Sequence, residues 1–194
     1  MALFQIKSIQ EWGSFAHEGN DYSLSHLNAH SVTYTSEKAG DIVFVVTYGL
    51  HCFTKTGTIH SIPVTISDSK ETRHVDLERY KLSKMLRQAI DNFSVDNNRF
   101  YKTSPEKFFT LQVNNPITGV SENYKICVLL FKENRLLRMH VTSAFIVKEG
   151  LGSPENPVKG SGFSIFKIAL DLKSTPKGKM PQIPKEANNN DWKK

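Results

Sequence analysis

Two apolar runs, "YKICVLLF" (residues 124–131) and "RLLRMHVTSAFIV" (residues 135–147), are separated only by "KEN". Runs this rich in β-branched and aromatic side chains read as strands, and so short a link permits only an antiparallel hairpin. A third run, "KFFTLQV" (107–113), reaches the first through "NNPITGVSEN" and extends the same sheet. "DIVFVVTYGL" (41–50) is apolar without interruption, as a strand buried on both faces or a central strand must be. "TIHSIPVTI" (58–66) alternates and contains Pro63, which cannot donate to a ladder, so it belongs at an edge or on a bulge. The turn "KTGT" between the last two predicts a hairpin. "SIFKIALDL" (164–172) also alternates and reads as a final strand, after the Gly- and Pro-dense loop "EGLGSPENPVKGSG". Near the start, "SIQEWGSF" (8–15) fits a short helix, and a strand is expected around residues 32–35.

One segment has a clear helical period. In "HVDLERYKLSKMLRQAIDNF" (74–93), Leu77, Leu82, Met85, Leu86, Ala89, Ile90 and Phe93 recur at steps of three and four, with Asp76 available as N-cap. The expected fold class is therefore α+β, an antiparallel sheet of about six strands with one principal helix packed on it. A chain of 194 residues that is 39% hydrophobic can build a single core, assigned to residues 1–172. From residue 173 to 194 the composition turns to Lys, Pro and Asn with no apolar period, which predicts a flexible basic tail carrying Trp192.

A net charge of +6 and a pI near 9.2 favour a polyanionic partner. The cysteines Cys52 and Cys127 lie in apolar runs, as buried free thiols do, so a reducing, cytoplasmic setting is expected. No run approaches the roughly 20 apolar residues that span a bilayer, and the first residues show no signal-peptide pattern, so no membrane association is expected.

The chemistry-bearing residues fall into three groups. His51 and His60 would share one face of the expected hairpin, with Cys52 on the other, so His51 and Cys52 make a poor chelating pair. No CxxC, HxH or HExxH spacing supplies a metal site, and a buried Cys52 would have a raised pKa, which leaves acid–base work for the imidazoles. Around the helix start, Arg73 and His74 precede Arg79, Ser83 and Arg87, which form a stripe at four-residue steps suited to phosphates. On "LLRMHVTSAFIV", strict alternation places Leu137, Met139, Val141, Ser143 and Phe145 on one face and Arg138, His140 and Thr142 on the other. There His140 would act as acid or base, Arg138 on the anionic transition state and Thr142 on a phosphate oxygen. Each group also has a plainer reading, as hairpin, solvated helix face or exposed sheet.

"HCFT" after a strand, "HVDLERYKLSKML" opening a helix and "VTSAF" on a late strand resemble a set found in small bacterial and prophage proteins of unclear activity. The order of elements over residues 41–147 is also similar to the RelE and barnase-like ribonuclease toxins. That resemblance implies RNA cleavage with the 2′-OH as internal nucleophile and no metal, with His51, His74, Arg79 and His140 catalytic. Lys55, His60, Arg73, Ser83, Arg138 and Thr142 would then contact the nucleic acid. No GxxxxGK[ST] or GxGxxG is present and no cofactor is expected. The leading expectation is a metal-independent ribonuclease or RNA-acting enzyme, a toxin or phage-defence component with an antitoxin as protein partner. The alternative is a non-enzymatic module that binds nucleic acid or a protein, with Phe100, Tyr101, Phe108 and Phe109 as stacking or core groups.

Overall fold

The computed structural model describes residues 2–5, 11–67, 71–95, 98–103, 106–133 and 135–176. In chain order the elements are β1 (Ala2–Gln5), β2 (Ser14–His17), β3 (Asn20–Ser23), β4 (His30–Ser36), β5 (Gly40–His51), β6 (Ser61–Ser67) and β7 (Thr72–Asp76). They continue with α1 (Leu77–Ser83), α2 (Leu86–Asp91), β8 (Tyr101–Lys102), β9 (Lys107–Asn114), β10 (Ser121–Glu133), β11 (Leu136–Ile146) and α3 (Ile165–Ser174).

Six strands form the main sheet in the order β4-β5-β11-β10-β9-β8. It is antiparallel throughout except between its long central strands β5 and β11, which run parallel. A three-stranded sheet, β1-β6-β7, and the hairpin β2-β3 complete a mixed α/β architecture. Among the described residues no helix is long and apolar enough to cross a membrane.

The structure departs from expectation where local signals compete. "KTGT" does not close a hairpin, because β5 pairs with β4 and β11 whereas β6 pairs with β1 and β7. Strand β5 instead ends in a tight turn, with Cys52 N donating to Gly49 O, Phe53 N to Leu50 O, and both the amide and hydroxyl of Thr54 to Leu50 O. That turn carries the chain into the second sheet, so His51 and His60 never face each other. The one expected helix is two short ones, α1 and α2, separated by a turn at Lys84 and Met85. Asp76 does cap α1, its carboxylate accepting from Arg79 N at 2.9 Å. "SIFKIALDL" is a helix rather than a strand: Ile168 and Leu172 satisfy both periods, but Leu170 is 52% exposed while Ile165 and Ala169 are buried, which only the helical spacing explains. Ser164 caps it by accepting from Lys167 N. Pro63 lies where the β6–β7 register shifts, so the proline sits at an irregularity as expected. "SIQEWGSF" ends in strand β2, and its first three residues lie outside the described ones. Most of the expected tail, residues 177–194, lies outside them too, while α3 continues to Ser174.

The larger part of the core lies on one face of the main sheet, while Leu129 and Phe131, beside His140 and Arg138, carry it onto part of the other. Phe44, Val46, Tyr48 and Leu50 from β5 meet Leu137, Met139 and Val141 from β11, and all are buried. Phe93, Phe100 and Phe109 stack and cross at 4.2 to 5.5 Å between centroids, and Phe108 is also buried, so three of the four aromatics considered as stacking groups are core. Tyr34 on β4 donates its hydroxyl to Ile90 O at 2.7 Å and pins α2 to the sheet edge.

A bulge in β11 decides what the other face presents. Val141 pairs with Val128 on β10, and Ser143 with the preceding residue, Cys127, so Thr142 is an extra residue with its hydroxyl on Cys127 O. The inserted residue reverses the alternation. Ala144 joins Met139 and Val141 in the core, while Ser143 and Phe145 move to the face that holds Arg138 and His140.

Candidate functional site

The open end of that second face gathers His51, Glu71, Arg73 and Arg79. His51 ends β5, and its Nε2 lies 2.5 Å from Glu71 Oε1. A carboxylate can only accept, so the ring proton sits on Nε2 and Nδ1 is the acceptor of the neutral imidazole. The His51 side chain is 40% exposed and that of Glu71 29%. The second carboxylate oxygen of Glu71 takes a 3.0 Å bond from Arg73, whose Nε reaches Thr54 Oγ1 at 3.2 Å. Burial alone would raise the Glu71 pKa, but hydrogen bonds from His51 and Arg73 outweigh it and hold the carboxyl below its ordinary value. Arg79 donates to the carbonyls of His51 at 2.9 Å and Thr54 at 3.1 Å, and its guanidinium lies 5.4 Å from the Phe145 ring centroid. Burial lowers the Arg79 pKa and Asp76 opposes the shift, but a guanidinium stays charged. The result is a carboxylate-oriented imidazole flanked by two cations, an arrangement suited to proton transfer beside a developing negative charge.

His140 lies on the same sheet face, with Gly49 between it and His51. Its Nδ1 is 3.0 Å from Thr47 Oγ1, and a Cβ placed on Gly49 would sit 3.3 Å from its Nε2. The close approach of the ring requires the missing side chain. Gly49 and His51 are two residues apart on one strand, roughly 7 Å. His140 is nonetheless fully buried.

The other expected residues divide cleanly. Arg138 is not an exposed phosphate ligand: it is fully buried, bonded to Glu133 and packed over Phe131. Ser83 is buried as well, donating to Tyr80 O at 2.7 Å and so accepting from His26 Nε2 at 2.7 Å. His74 alternates with Arg73 on β7 and therefore points away from the cluster, its carbonyl accepting from Lys55 N. His60 is half-buried and lends its carbonyl to Leu77 N, and Lys55 is exposed in the connection between sheets. Thr142 is the bulge residue. Sequence reasoning missed Glu71 and placed Ser143 and Phe145 on the wrong face: no local signal marks a carboxylate that meets His51 across two sheets, and alternation cannot register an inserted residue. Cys52 is inert, its thiol pushed up to about 12 by burial. Among the described residues no three His, Cys, Asp or Glu side chains converge as metal ligands.

Protein YjaZ of Escherichia coli (strain K12) is 27% identical over 176 residues, which span 86% of this chain and 93% of that protein. No solved structure matches the chain significantly. A model of the YjaZ family matches residues 14–172. Neither name states an activity. Because that match begins with β2 and ends within α3, it takes in the whole six-stranded sheet and every residue of the His51 cluster, and the chain belongs to the YjaZ family.

Proposed function

We propose that the chain is a metal-independent, RNA-acting enzyme whose acid–base centre is His51. The observation that carries this reading is the 2.5 Å bond from His51 Nε2 to Glu71, which leaves Nδ1 of a half-exposed ring ready to take a proton. His51 would remove the proton of a ribose 2′-OH as that oxygen attacks the adjacent phosphorus. The 5′-oxygen bond breaks, the proton returns from His51 to the departing oxygen, and a 2′,3′-cyclic phosphate remains. Arg73 and Arg79, the cations beside His51, would offset the charge that develops on the phosphorane. The net charge of +6 supports a polyanionic substrate, and the two buried free thiols suit a cytoplasmic setting. A chain that cleaves RNA in its own cell needs restraint, so a neutralising protein partner belongs to the toxin or phage-defence form of this reading.

One observation favours a non-enzymatic binding module instead. His140 and Arg138 are buried against protein partners, which leaves His51 as the open imidazole of the cluster. Incubating the purified chain with total RNA in EDTA separates the two. Cleavage that falls by about 10²-fold or more in folded His51→Ala supports the enzyme. Binding without cleavage supports the module, and cleavage unchanged in His51→Ala overturns the acid–base assignment.

A further inference from the structure

The strand registers place a defined floor beside His51. His51 pairs with Ser143, Ser143 with Cys127 and Cys127 with Phe108, so these four side chains form one row across β5, β11, β10 and β9. Phe145, Lys125 and Thr110 form the next row on the same face. The far half is covered by the loop at residues 150–156. Lys125 Nζ donates to Leu151 O at 2.7 Å, Asn123 donates to Gly152 O, and a Cβ on Gly152 would meet Thr110 at 3.1 Å. The near half is Ser143 and Phe145, both only partly covered. It is bounded on one side by that loop and on the other by His51 and Arg79.

We propose that Phe145 is the base-binding subsite of the His51 centre, taking the nucleobase of a single-stranded RNA by stacking, with Ser143 beside it as a hydrogen-bonding group. This rests on the RNA reading above and adds to it what distinguishes a nucleotide from any other phosphate ester. Charge complementarity names the occupant. The partly exposed Phe145 ring, with the Arg79 guanidinium 5.4 Å from its centroid and Lys125 as its cross-strand neighbour, offers an aromatic surface and cations together, which a stacked base and its flanking phosphates satisfy at once. Phosphate alone would leave the exposed part of the ring, beyond its contact with Arg79, uncovered.

The test uses the full chain and uncleavable 2′-O-methyl oligouridine, against an abasic ribose–phosphate oligomer of equal length, with binding read by fluorescence anisotropy. Phe145→Leu should weaken oligouridine binding about tenfold, a fraction of the stacking contribution of one base, and leave abasic binding unchanged. Phe145→Tyr should retain oligouridine binding. Photocrosslinking of the wild-type chain to a 5-iodouridine oligomer should label Phe145 or its immediate neighbours, a readout that does not depend on how Phe145→Leu folds. Equal binding by Phe145→Leu and wild type, or a crosslink mapping elsewhere, overturns this subsite while His51-dependent cleavage still stands. A wild-type chain that neither binds nor cleaves RNA overturns the His51 reading and this inference with it.

Discussion

His51 and Glu71, 20 residues apart in the chain, are joined by a 2.5 Å hydrogen bond that links the main sheet to the smaller one. The backbone sets this meeting. Thr54 bridges to Val75, Lys55 N donates to His74 O and Asp76 N to Phe53 O, so the turn after β5 lies alongside β7 in a fixed register. Thr58 Oγ1 then ties the outer loop back to Asp76 at 2.5 Å. The imidazole and its carboxylate are held by main-chain pairing on both sides.

If the chain cleaves RNA through His51 as proposed, Glu71→Gln should lower that cleavage by about 10²-fold, because an amide no longer fixes the ring tautomer. The Glu71 pKa is depressed, so the wild-type arrangement persists above the ordinary carboxylate range and is lost as pH falls through the folded value. Nitrogen-15 shifts of His51 should report the Nε2–H tautomer in wild type and a mixture in Glu71→Gln, a readout that needs no substrate.

His26 should make folding acid-sensitive. Burial first, then Lys84, pushes its pKa down to about 4, against a hydrogen bond to the Ser23 backbone that raises it. Between pH 6.5 and about 4 the unfolded chain binds a proton that the folded chain refuses, so this stability is complete above 6.5 and falls as pH drops through that window. Urea unfolding at several pH values should show a shallower acid slope in His26→Gln than in wild type. His30, also lowered chiefly by burial, supplies part of the remaining slope.

Gly162→Ala should destabilise the fold by about 2 kcal/mol or more. Gly162 has φ +57°, and a Cβ there would stand 2.8 Å from Arg99 Cβ and 3.0 Å from Phe100 O. It lies next to the Phe100–Phe163 backbone pair that docks the approach to α3. Thermal unfolding checks this, and an unchanged midpoint would mean that the segment can shift without losing that pair.

Arg138→Met should cost about 3–5 kcal/mol, since it strips the buried Glu133 carboxylate of its guanidinium. The double change Arg138→Met with Glu133→Leu should recover most of that loss, because no charge is then left buried. Chemical denaturation of the three chains decides it, and equal destabilisation in single and double variants contradicts the ion-pair account.

Much of the main sheet was legible because its strands carry strong local signals: long β-branched runs, short links, and a proline that sits at a register shift. The sheet order was not, because nothing in "DIVFVVTYGL" states that its neighbour is a strand about ninety residues later, running parallel. "SIFKIALDL" was ambiguous for a concrete reason: Ile168 and Leu172 fit both periods, and only tertiary burial separates them. Of the site, His51, Arg73 and Arg79 could be named from residue type and neighbourhood. Glu71 could not, since its role exists only once two sheets are docked. His140 and Arg138 were noticed for their chemistry, and burial then changed what that chemistry is for.

The extra residue at Thr142 gives one strand two opposite rules for tolerating mutation. Upstream of it, a carboxylate introduced at odd-numbered Met139 is forced into oil; downstream, the odd-numbered Ser143 can accept one in contact with water, whereas even-numbered Ala144 cannot. A lineage could therefore retune the floor beside His51 one side chain at a time without disturbing the interior, and deleting Thr142 alone would bring Val141 and Ser143 onto consecutive β10 partners, Val128 and Cys127, and leave Phe145 facing outward.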